Sequence, residues 1–335
     1  MSPPPGGVRT AAGGVRTARP AAAVSEVRAA VRRFLAAHGT GQAVAVACSG
    51  GADSLALAAA TVHCADRLGL AVHGLVVDHR LQPGSQRVAQ VAAQTLRGLG
   101  CAAVRVLEVT VDGPGGPEAA ARRARYAALR AASPAGALVL LGHTLDDQAE
   151  TVLLGLGRGS GPRSVAGMRE LDPPWGRPLL GVRRAVNAAA CAALDLAPWA
   201  DPHNADPRFR RVRLRAEVLP LLEEVLGGGV AEALARTATQ LQEDVDLLEG
   251  QARALLSSAL AEAEPALQVA VLAAAPAPLR RRALRRWLLD AGVPELTDAH
   301  LRAADGLIGR WSGQGAVRLP GNLQVYRARG MLQLA

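Results

Sequence analysis

The amino-acid sequence predicts an α/β fold in which helices cover both faces of a doubly wound, mostly parallel sheet. Four apolar runs, separated by helical stretches, occur at residues 43–47, 71–77, 103–109 and 137–141. Strands that are apolar on both faces and alternate with helices are typical of parallel sheets. Strand patterns cease after Pro220 and return only as short runs at 317–319 and 323–326. We therefore expect a smaller, mostly helical C-terminal domain.

The same pattern divides the chain into three segments. Residues 1–24 are rich in proline, glycine, alanine and arginine and contain the hexapeptide GGVRTA twice, which is typical of a disordered tail. Ser25 is a candidate N-cap for the first helix, so the main α/β domain is assigned to residues 25–218. The second region spans residues 219–335. Its predicted long helices cover 230–262 and 279–289.

The charge of the chain favours a polyanionic partner. The 335 residues include 38 basic side chains and 29 acidic ones, which gives a net charge of +9 and a pI near 10.8. Nucleic acid fits such a surface, although a solvated arginine-rich surface would give the same count. All the basic residues are arginine. The absence of lysine excludes a phosphate-loop lysine and a Schiff-base lysine as catalytic groups.

The four cysteines show neither a C-x-x-C spacing nor the pattern of a secreted domain; they are Cys48, Cys64, Cys101 and Cys191. Such cysteines are typical of buried thiols in a reducing compartment, and they predict no zinc or iron–sulfur site. No uncharged stretch reaches the length of a membrane span, and the N-terminus lacks the pattern of a signal peptide. We expect a cytoplasmic protein with no membrane partner.

The most informative motif is SGGADS, which lies between the first apolar strand and an alanine-rich helix. Its residues are Ser49, Gly50, Gly51, Ala52, Asp53 and Ser54. Glycines let the backbone approach an anion, serine hydroxyls donate hydrogen bonds, and the dipole of the following helix favours phosphates. Asp53 can hold or orient Mg²⁺. A serine-capped glycine turn would look the same over six residues, but the flanking strand and helix favour a nucleotide-binding loop.

A second polar motif, HTLDDQAET, begins at His143 and opens the helix after the fourth predicted strand. Thr144 and Asp147 fit a capping box, which explains one acid. His143 and Asp147 are four residues apart, so they share a helix face, and Asp146 and Glu150 are related in the same way. A histidine and three acids at the carboxyl end of a strand favour Mg²⁺ binding or the positioning of a nucleophile over capping alone.

Arginines cluster in several other places. Arg122, Arg123 and Arg125 follow a Gly-Pro-rich turn, where they could clamp a triphosphate or form a solvated helix face. The GLGRGSG segment, which we predict to be flexible, carries Arg158, and five arginines lie within residues 208–215. Clusters of this kind bind phosphates but also occur on plain surfaces.

Four motifs follow one another in the order SGGADS, HTLDDQAETVLLGLGRGSG, RPLLGVRR and WADPHNADPRFRRVRLRAEVLPLL. In this order they resemble the tRNA(Ile)-lysidine synthetases, strongly over residues 43–222 and more weakly up to the VRLPG segment near the C-terminus. The SGG-x-DS loop is shared with other ATP pyrophosphatases, and the HxxDDQxET block with RGSG narrows the choice. The resemblance implies an adenine nucleotide alpha hydrolase-like, Rossmann-like fold and a C-terminal region that binds the tRNA substrate.

The resemblance also implies a reaction. ATP and Mg²⁺ would adenylate the C2 carbonyl oxygen of the wobble cytidine in an isoleucine tRNA with a CAU anticodon, and L-lysine would then displace AMP. This chemistry needs positioning and charge neutralisation but no side-chain nucleophile. Residues 49–54 with Arg122 and Arg125 would bind ATP, and Asp53 would serve Mg²⁺. The residues at the reacting centre would be Asp53, His143, Asp147 and Glu150. The residues in contact with tRNA would be Arg158, Arg208, Arg211, Arg213, Arg215, Arg281, Arg282 and Arg285.

Two alternatives stay open on the sequence. Another ATP pyrophosphatase with the same loop, such as a tRNA thiolase, would normally need paired or catalytic cysteines. A non-catalytic RNA-binding protein that kept a nucleotide fold would need neither Asp53 nor the acid cluster. Departures from the family pattern at Arg80, His203 and Val212 leave the reaction class intact. The sequence is compatible with a homodimer.

Overall fold

The protein is described by a computed structural model. The described residues are 20–39, 41–80, 84–112, 116–159, 161–261 and 266–335. The chain divides into two compact units, Met1–Thr239 and Gln240–Ala335. The division lies inside a long helix, later than the boundary at residue 218 that the sequence suggested, because the strand signals stop before the first unit ends.

The first unit contains a six-stranded sheet in the order β3-β2-β1-β4-β6-β5. Its strands are β1 (Ala43–Ala47), β2 (Ala71–Asp78), β3 (Ala103–Glu108), β4 (Leu138–Leu140), β5 (Leu171–Asp172) and β6 (Trp175–Gly176). All neighbouring strands are parallel except β5 and β6, which form an antiparallel pair at the edge. The prediction of a doubly wound, mostly parallel sheet is confirmed.

Helices cover both faces of this sheet. The helices of the first unit are α1 (Pro20–His38), α2 (Ala52–Asp66), α3 (Ser85–Leu99), α4 (Gly116–Ala132), α5 (Leu145–Arg158), α6 (Pro162–Val165), α7 (Arg184–Ala193), α8 (Arg210–Arg213) and α9 (Leu219–Val225), and α10 (Val230–Ala259) begins in this unit and continues into the second. Successive strand residues point to opposite faces. Val46 therefore packs into the core formed with α1, α2, α3 and α7, whereas Ala45 packs against Leu129 of α4. Because β1 pairs in parallel with β2 on one side and with β4 on the other, the carboxyl ends of these three strands lie side by side.

Helix α1 begins earlier than the sequence suggested. It starts at Pro20, and Ser25 lies inside the helix, where its hydroxyl donates to the carbonyl of Ala21. Ala23 and Val24 are buried in the core, and this burial stabilises the first turn. The predictions that Ser25 caps the helix and that the tail extends to residue 24 are therefore wrong. Residues 1–19 of that predicted tail lie outside the described residues.

The second unit combines helices with a small antiparallel sheet. The helices that follow α10 are α11 (Val269–Ala273), α12 (Ala277–Asp290) and α13 (Asp298–Gly309). The sheet has the order β7-β10-β9-β8, with β7 (Leu267–Gln268), β8 (Val317–Leu319), β9 (Leu323–Ala328) and β10 (Met331–Leu334). Leu284, Trp287 and Leu288 of α12 lie in its core. Among the helices of the described chain, none has the length and apolar character of a membrane span.

The GLGRGSG segment is partly helical, contrary to the prediction of a flexible segment. Its first four residues form the end of α5, and the helix ends at Gly159, which has a φ of 61°. Gly155 is buried because α6 crosses the helix here, and a β-carbon at this position would lie 2.0 Å from the carbonyl oxygen of Ser164. A β-carbon at Gly157 would have no neighbour within 4 Å. Only the first of these two glycines is therefore required by packing.

We expect Gly155→Ala to lower the free energy of unfolding by about 1–3 kcal/mol, since backbone must move to accept the new methyl group. Gly157→Ala on the same helix is the matched control, and it should raise stability by up to about 1 kcal/mol because alanine favours a helix. Urea unfolding of both variants measures the difference. Equal effects of the two substitutions would contradict the close packing of α5 against α6.

Candidate functional site

The SGGADS motif forms a loop between β1 and α2, as the sequence predicted. Gly50 has a φ of 83°, a left-handed conformation that glycine adopts without strain. Gly51 is the N-cap of α2, and no side chain caps the helix there, so its first backbone N–H groups are open to a ligand. The hydroxyl of Ser54 accepts from the Ser49 backbone N–H at 3.1 Å and donates to the Gly51 carbonyl at 2.9 Å. Ser54 thus shapes the loop, and the helix N-terminus faces outward.

Backbone contacts hold this loop on two sides. The Trp199 backbone N–H donates to the Gly50 carbonyl at 2.9 Å. On the other side, a β-carbon at Gly142 would lie 3.1 Å from the Ser54 nitrogen and 3.1 Å from the Asp53 carbonyl carbon. Gly142 follows β4, so this close approach fixes the loop against the neighbouring strand end.

Helix α5 begins with the predicted capping box. The Thr144 hydroxyl accepts from the Asp147 backbone N–H at 3.2 Å, and Asp147 Oδ2 accepts from the Thr144 backbone N–H at 2.8 Å. Burial alone would raise the pKa of Asp147, but Arg184 and the hydrogen bonds from Thr144 outweigh it and lower the pKa below its usual range. Asp147 is therefore a capping residue through one oxygen and a charged site residue through the other.

Arg184, at the start of α7, connects the loop to helix α5. Its Nε lies 3.2 Å from Asp53 Oδ2, and its Nη2 lies 2.6 Å from Asp147 Oδ1. Its Nη1 lies 3.6 Å from Glu150 Oε1, and the Glu150 side chain is fully buried. One guanidinium thus contacts carboxylates from α2 and α5 at the same time.

Asp53 has a second partner in Asn187, whose Nδ2 donates to Asp53 Oδ1 at 2.7 Å. Burial raises the pKa of Asp53, and the contacts with Asn187 and Arg184 act in the opposite direction. Both oxygens of this carboxylate are thus held toward α7. Asp53 lies at the open N-terminus of α2, where a phosphate-bound cation would also lie.

Arg215 completes the group of charges. Its Nε donates to Glu150 Oε1 at 2.9 Å, and its Nη2 lies 3.7 Å from Asp147 Oδ1. We name these five side chains the carboxylate–arginine cluster; its members are Asp53, Asp147, Glu150, Arg184 and Arg215. With three carboxylates and two guanidiniums, the cluster carries one net negative charge. The sequence assigned Arg215 to tRNA contact and did not predict its place beside Glu150.

Asp146 turns away from this cluster. Its Oδ2 accepts from the Arg184 backbone N–H at 2.7 Å, and its Oδ1 lies 3.5 Å from the Arg183 Nε. A carboxylate at a helix N-terminus is stabilised by the open N–H groups and by the helix dipole. Asp146 therefore fixes the start of α7, although the four-residue spacing suggested that it acts together with Glu150.

Three unpartnered nitrogens lie near the ends of β2 and β4. The buried atoms are His79 Nδ1, Arg125 Nε and His143 Nδ1, and none has a hydrogen-bond partner within the described chain. Burial lowers the pKa of both histidines, and the positive charge of Arg125 adds to the lowering. Arg122 stacks on the Tyr126 ring at 4.9 Å from its centroid. Polar atoms left unsatisfied in this way mark a place where a polar ligand can bind.

The other arginines assigned to tRNA lie on several surfaces. Arg158 is exposed in the last turn of α5, and Arg211 is half-buried on α8. Arg208 pairs with Asp206 at 2.6 Å and Arg213 with Glu217 at 2.8 Å.

In the second unit, α12 carries the remaining predicted tRNA-binding arginines. Arg282 pairs with Glu249 at 3.3 Å, while Arg281 and Arg285 are half-buried. The acid on α10 therefore neutralises part of this predicted basic stripe.

Sequence reasoning missed two site residues, Arg184 and Asn187. The motif RPLLGVRR contains Arg184, but adjacent arginines in a sequence do not show which one turns inward. Asn187 lies one turn further along α7 and has no motif of its own. Their contacts with Asp53 span more than 130 residues of sequence, so only the folded chain reveals them.

The cysteines are free thiols, and within the described residues no three His, Cys, Asp or Glu side chains are arranged so that together they could hold a metal ion. Cys48, Cys64 and Cys191 are buried. Burial raises the pKa of Cys101 and of Cys191 to about 11, so both stay protonated at neutral pH. Three of the four cysteines are buried, as the sequence predicted, and Cys101 is half-buried.

Comparison with known families agrees with the two units. Residues 24–222 match the family described as the PP-loop domain, and residues 267–333 match the TilS substrate binding domain. With the loop at Ser49–Ser54, this defines an enzyme of the PP-loop class that uses ATP.

Curated relatives identify one family within the PP-loop enzymes. The tRNA(Ile)-lysidine synthase of Nocardia farcinica is 60% identical over 92% of this chain and 97% of its own length. That of Rhodococcus erythropolis is 56% identical over 93% of this chain and 95% of its own length, and that of Mycobacterium tuberculosis H37Rv is 54% identical over 91% and 93%. The chain belongs to the tRNA(Ile)-lysidine synthase family. The resemblance seen in the sequence motifs is confirmed.

A solved structure shows the same fold. The U34-tRNA thiolase NcsA from Methanococcus maripaludis, with its [4Fe-4S] cluster, superposes with a TM-score of 0.56 at 18% identity, over 66% of this chain and 80% of the thiolase chain. At this identity the likeness concerns the fold alone. The thiolase alternative is therefore less well supported than the lysidine synthase family.

We expect His143 to stay neutral from pH 5 to 8. Burial lowers its pKa to about 3, although the nearby Asp147 acts in the opposite direction. An unfolded histidine titrates near 6.5, so below that pH the unfolded chain binds a proton that the folded chain refuses. The stability gained from neutral His143 is thus fully present above about pH 6.5 and is lost as the pH falls toward 3.

Urea unfolding at pH 7 and pH 5.5 tests this expectation. Wild-type protein should lose about 1 kcal/mol more between these pH values than His143→Gln, which has no group to titrate. Identical pH slopes for the two proteins would show that folding does not lower the pKa of His143.

Proposed function

We propose that this enzyme ligates L-lysine to the C2 position of the wobble cytidine in an isoleucine tRNA with a CAU anticodon, with conversion of ATP to AMP and diphosphate. The observation that carries the proposal is the carboxylate–arginine cluster beside the SGGADS loop, because its single net negative charge suits one ammonium group. Family membership and the match of residues 267–333 to a substrate binding domain support the tRNA substrate. A reaction on tRNA also supports the predicted cytoplasmic location.

The loop between β1 and α2 suits the ATP phosphates. Gly50 and Gly51 leave the backbone accessible, and the uncapped N-terminus of α2 presents N–H donors to an anion. Ser49, Ala52 and Ser54 complete the loop, and Arg122 and Arg125 lie at the neighbouring strand ends, where they would contact the nucleotide. The unpartnered Nε of Arg125 supports this role.

The residues present also fit Mg²⁺. This ion is usually held by one or two carboxylates together with phosphate oxygens and water, so Asp53 at the mouth of the loop is a sufficient protein ligand. When bound, Mg²⁺ neutralises charge on the phosphates during attack by the cytidine oxygen. Asn187 fixes the orientation of the Asp53 carboxylate through Oδ1.

The carboxylates of α5 suit the amino acid. Asp147 and Glu150 would hold an ammonium group of lysine, with Arg215 keeping Glu150 in place. His143 remains neutral and its Nδ1 has no hydrogen-bond partner within the described chain, so it can accept a hydrogen bond from the amine once the ammonium has lost its proton to solvent. The amine nitrogen then bonds to C2, the bond from C2 to the adenylated oxygen breaks, and AMP leaves.

In the second unit, the C-terminal segment is basic and contains no acidic residue of its own. Residues 306–335 contain four arginines and no aspartate or glutamate. Arg310, Arg318 and Arg329 are exposed, and Arg327 stacks on the half-exposed Trp311 ring at 4.9 Å from its centroid. Arginine and an exposed aromatic ring together suit RNA. We propose this segment as a tRNA contact.

Contact of Arg281, Arg282 and Arg285 with tRNA stays a prediction, as does contact of Arg158, Arg208, Arg211, Arg213 and Arg215 with tRNA. A homodimer stays a prediction as well.

Transfer of labelled lysine tests the function. With ATP, Mg²⁺ and a CAU-anticodon isoleucine tRNA, we expect wild-type protein to attach lysine to the wobble base and to release AMP and diphosphate. Asp53→Asn should abolish diphosphate release but leave tRNA affinity nearly unchanged, because the loop loses a charge that does not face RNA. Asp66→Asn at the other end of α2 is the matched control and should behave like wild type.

Three outcomes would contradict the proposal in different ways. Diphosphate release without lysine transfer would point to another enzyme of the PP-loop class. Binding of tRNA with no ATP turnover would point to a non-catalytic RNA-binding protein. Turnover at the wild-type rate in Asp53→Asn would remove Asp53 from the site.

We expect the triple variant Arg310→Gln, Arg318→Gln and Arg329→Gln to bind tRNA more weakly. Each lost phosphate contact should reduce the slope of log affinity against log salt by about 0.7 to 0.9. The control variant, Arg286→Gln with Arg302→Gln, removes exposed arginines that pair with Asp290 and Asp298 one turn away. Filter binding of tRNA at several salt concentrations compares the two, and equal slopes would place the basic contact elsewhere.

A further inference from the structure

Arg184 stands between two sites that the proposed function assigns to different substrates. Through Nε it contacts Asp53 of the nucleotide loop, and through Nη2 it contacts Asp147 of the amino-acid site. Glu150 lies 3.6 Å from its Nη1. The lysine ammonium would need the same carboxylate oxygens that the guanidinium now holds. Arg184 and lysine therefore compete for Asp147 and Glu150.

The guanidinium can move while its backbone stays fixed. Asp146 accepts from the Arg184 backbone N–H at 2.7 Å, which anchors the start of α7. The side chain itself is 26% exposed and reaches its partners through a flexible stem. Asp53 lies at the N-terminus of α2, so phosphate oxygens bound there would offer the guanidinium a bidentate acceptor at its Asp53 end.

Resting on the proposed function, we propose that Arg184 makes lysine binding depend on the nucleotide. Without nucleotide, Arg184 occupies Asp147 and Glu150 and weakens lysine binding. With nucleotide in the loop, Arg184 turns toward the phosphate oxygens and leaves the two carboxylates to the ammonium group. Arg184 is thus a positioning residue that links the two sites, and linkage requires lysine to strengthen nucleotide binding by the same factor.

Calorimetry of lysine binding to the full chain tests this role. We expect wild-type protein to bind lysine about tenfold more tightly in the presence of α,β-methylene-ATP and Mg²⁺, within the usual range of coupling between sites. In Arg184→Gln the competing cation is gone, so lysine should bind tightly without nucleotide, and the nucleotide should add little. A gain of lysine affinity cannot result from damage to the fold.

Two further variants sharpen the test. Arg183→Gln removes the adjacent arginine, which contacts Asp146 and lies 3.5 Å from Glu232, and it should keep the wild-type coupling. Arg184→Lys keeps a cation at the position and should retain part of the coupling. The role of Arg184 would be overturned if wild-type protein bound lysine equally with and without nucleotide. It would also be overturned if Arg184→Gln kept the wild-type coupling between nucleotide and lysine, or if this variant bound lysine more weakly than wild-type protein does.

Lysine transfer to tRNA, measured on the same wild-type preparation, separates the two proposals. Transfer without coupling would overturn only the role of Arg184. The absence of both transfer and lysine binding would overturn the proposed function together with it.

Discussion

Arg184 holds carboxylates that come from two helices, and the site is built around the need to balance their charges. Asp53 and Asp147 stand at the starts of α2 and α5, and Glu150 is fully buried one turn further along α5. A buried carboxylate without a cation would cost several kcal/mol, so the arginines are needed wherever these acids meet. This requirement draws α7 and the segment around Arg215 against the strand ends, and it explains why elements distant in sequence converge there.

The sheet supplies the frame on which this balance rests. Parallel strands bring the loop after β1 and the start of α5 after β4 to the same edge of the sheet. Apolar contacts of α5 with Leu219 and Ala231 hold that helix beside the segment that carries Arg215. The Ser54 hydroxyl forms its hydrogen bonds with the backbone of the loop, and no side chain caps the N-terminus of α2. Polar groups are thus divided between those that shape the site and those that a substrate can use.

Much of this arrangement could be predicted from the sequence, because it depends on local patterns. Apolar runs predict the four strands β1 to β4, and Thr144 with Asp147 predicts the cap of α5. The strands β5 and β6 could not be predicted, because each has only two residues and so short a segment shows no periodic pattern. Arg184 could not be predicted either, because its partners are set by how the helices pack and not by spacing. The early start of α1 reflects burial of alanine and valine, which composition alone does not distinguish from a tail.

The approach of Gly142 to the backbone of Asp53 and Ser54 restricts how the site can diversify. Because Gly142 meets main-chain atoms, a side chain added at this position would press directly on the nucleotide loop, and that loop has no side chain at the contact that could move aside. Variation that adapts the site to a different ligand is therefore expected on α5 and α7, which carry Asp147, Glu150 and Arg184. The nucleotide loop would then stay the same during evolution, while the specificity for the second ligand changes independently of it.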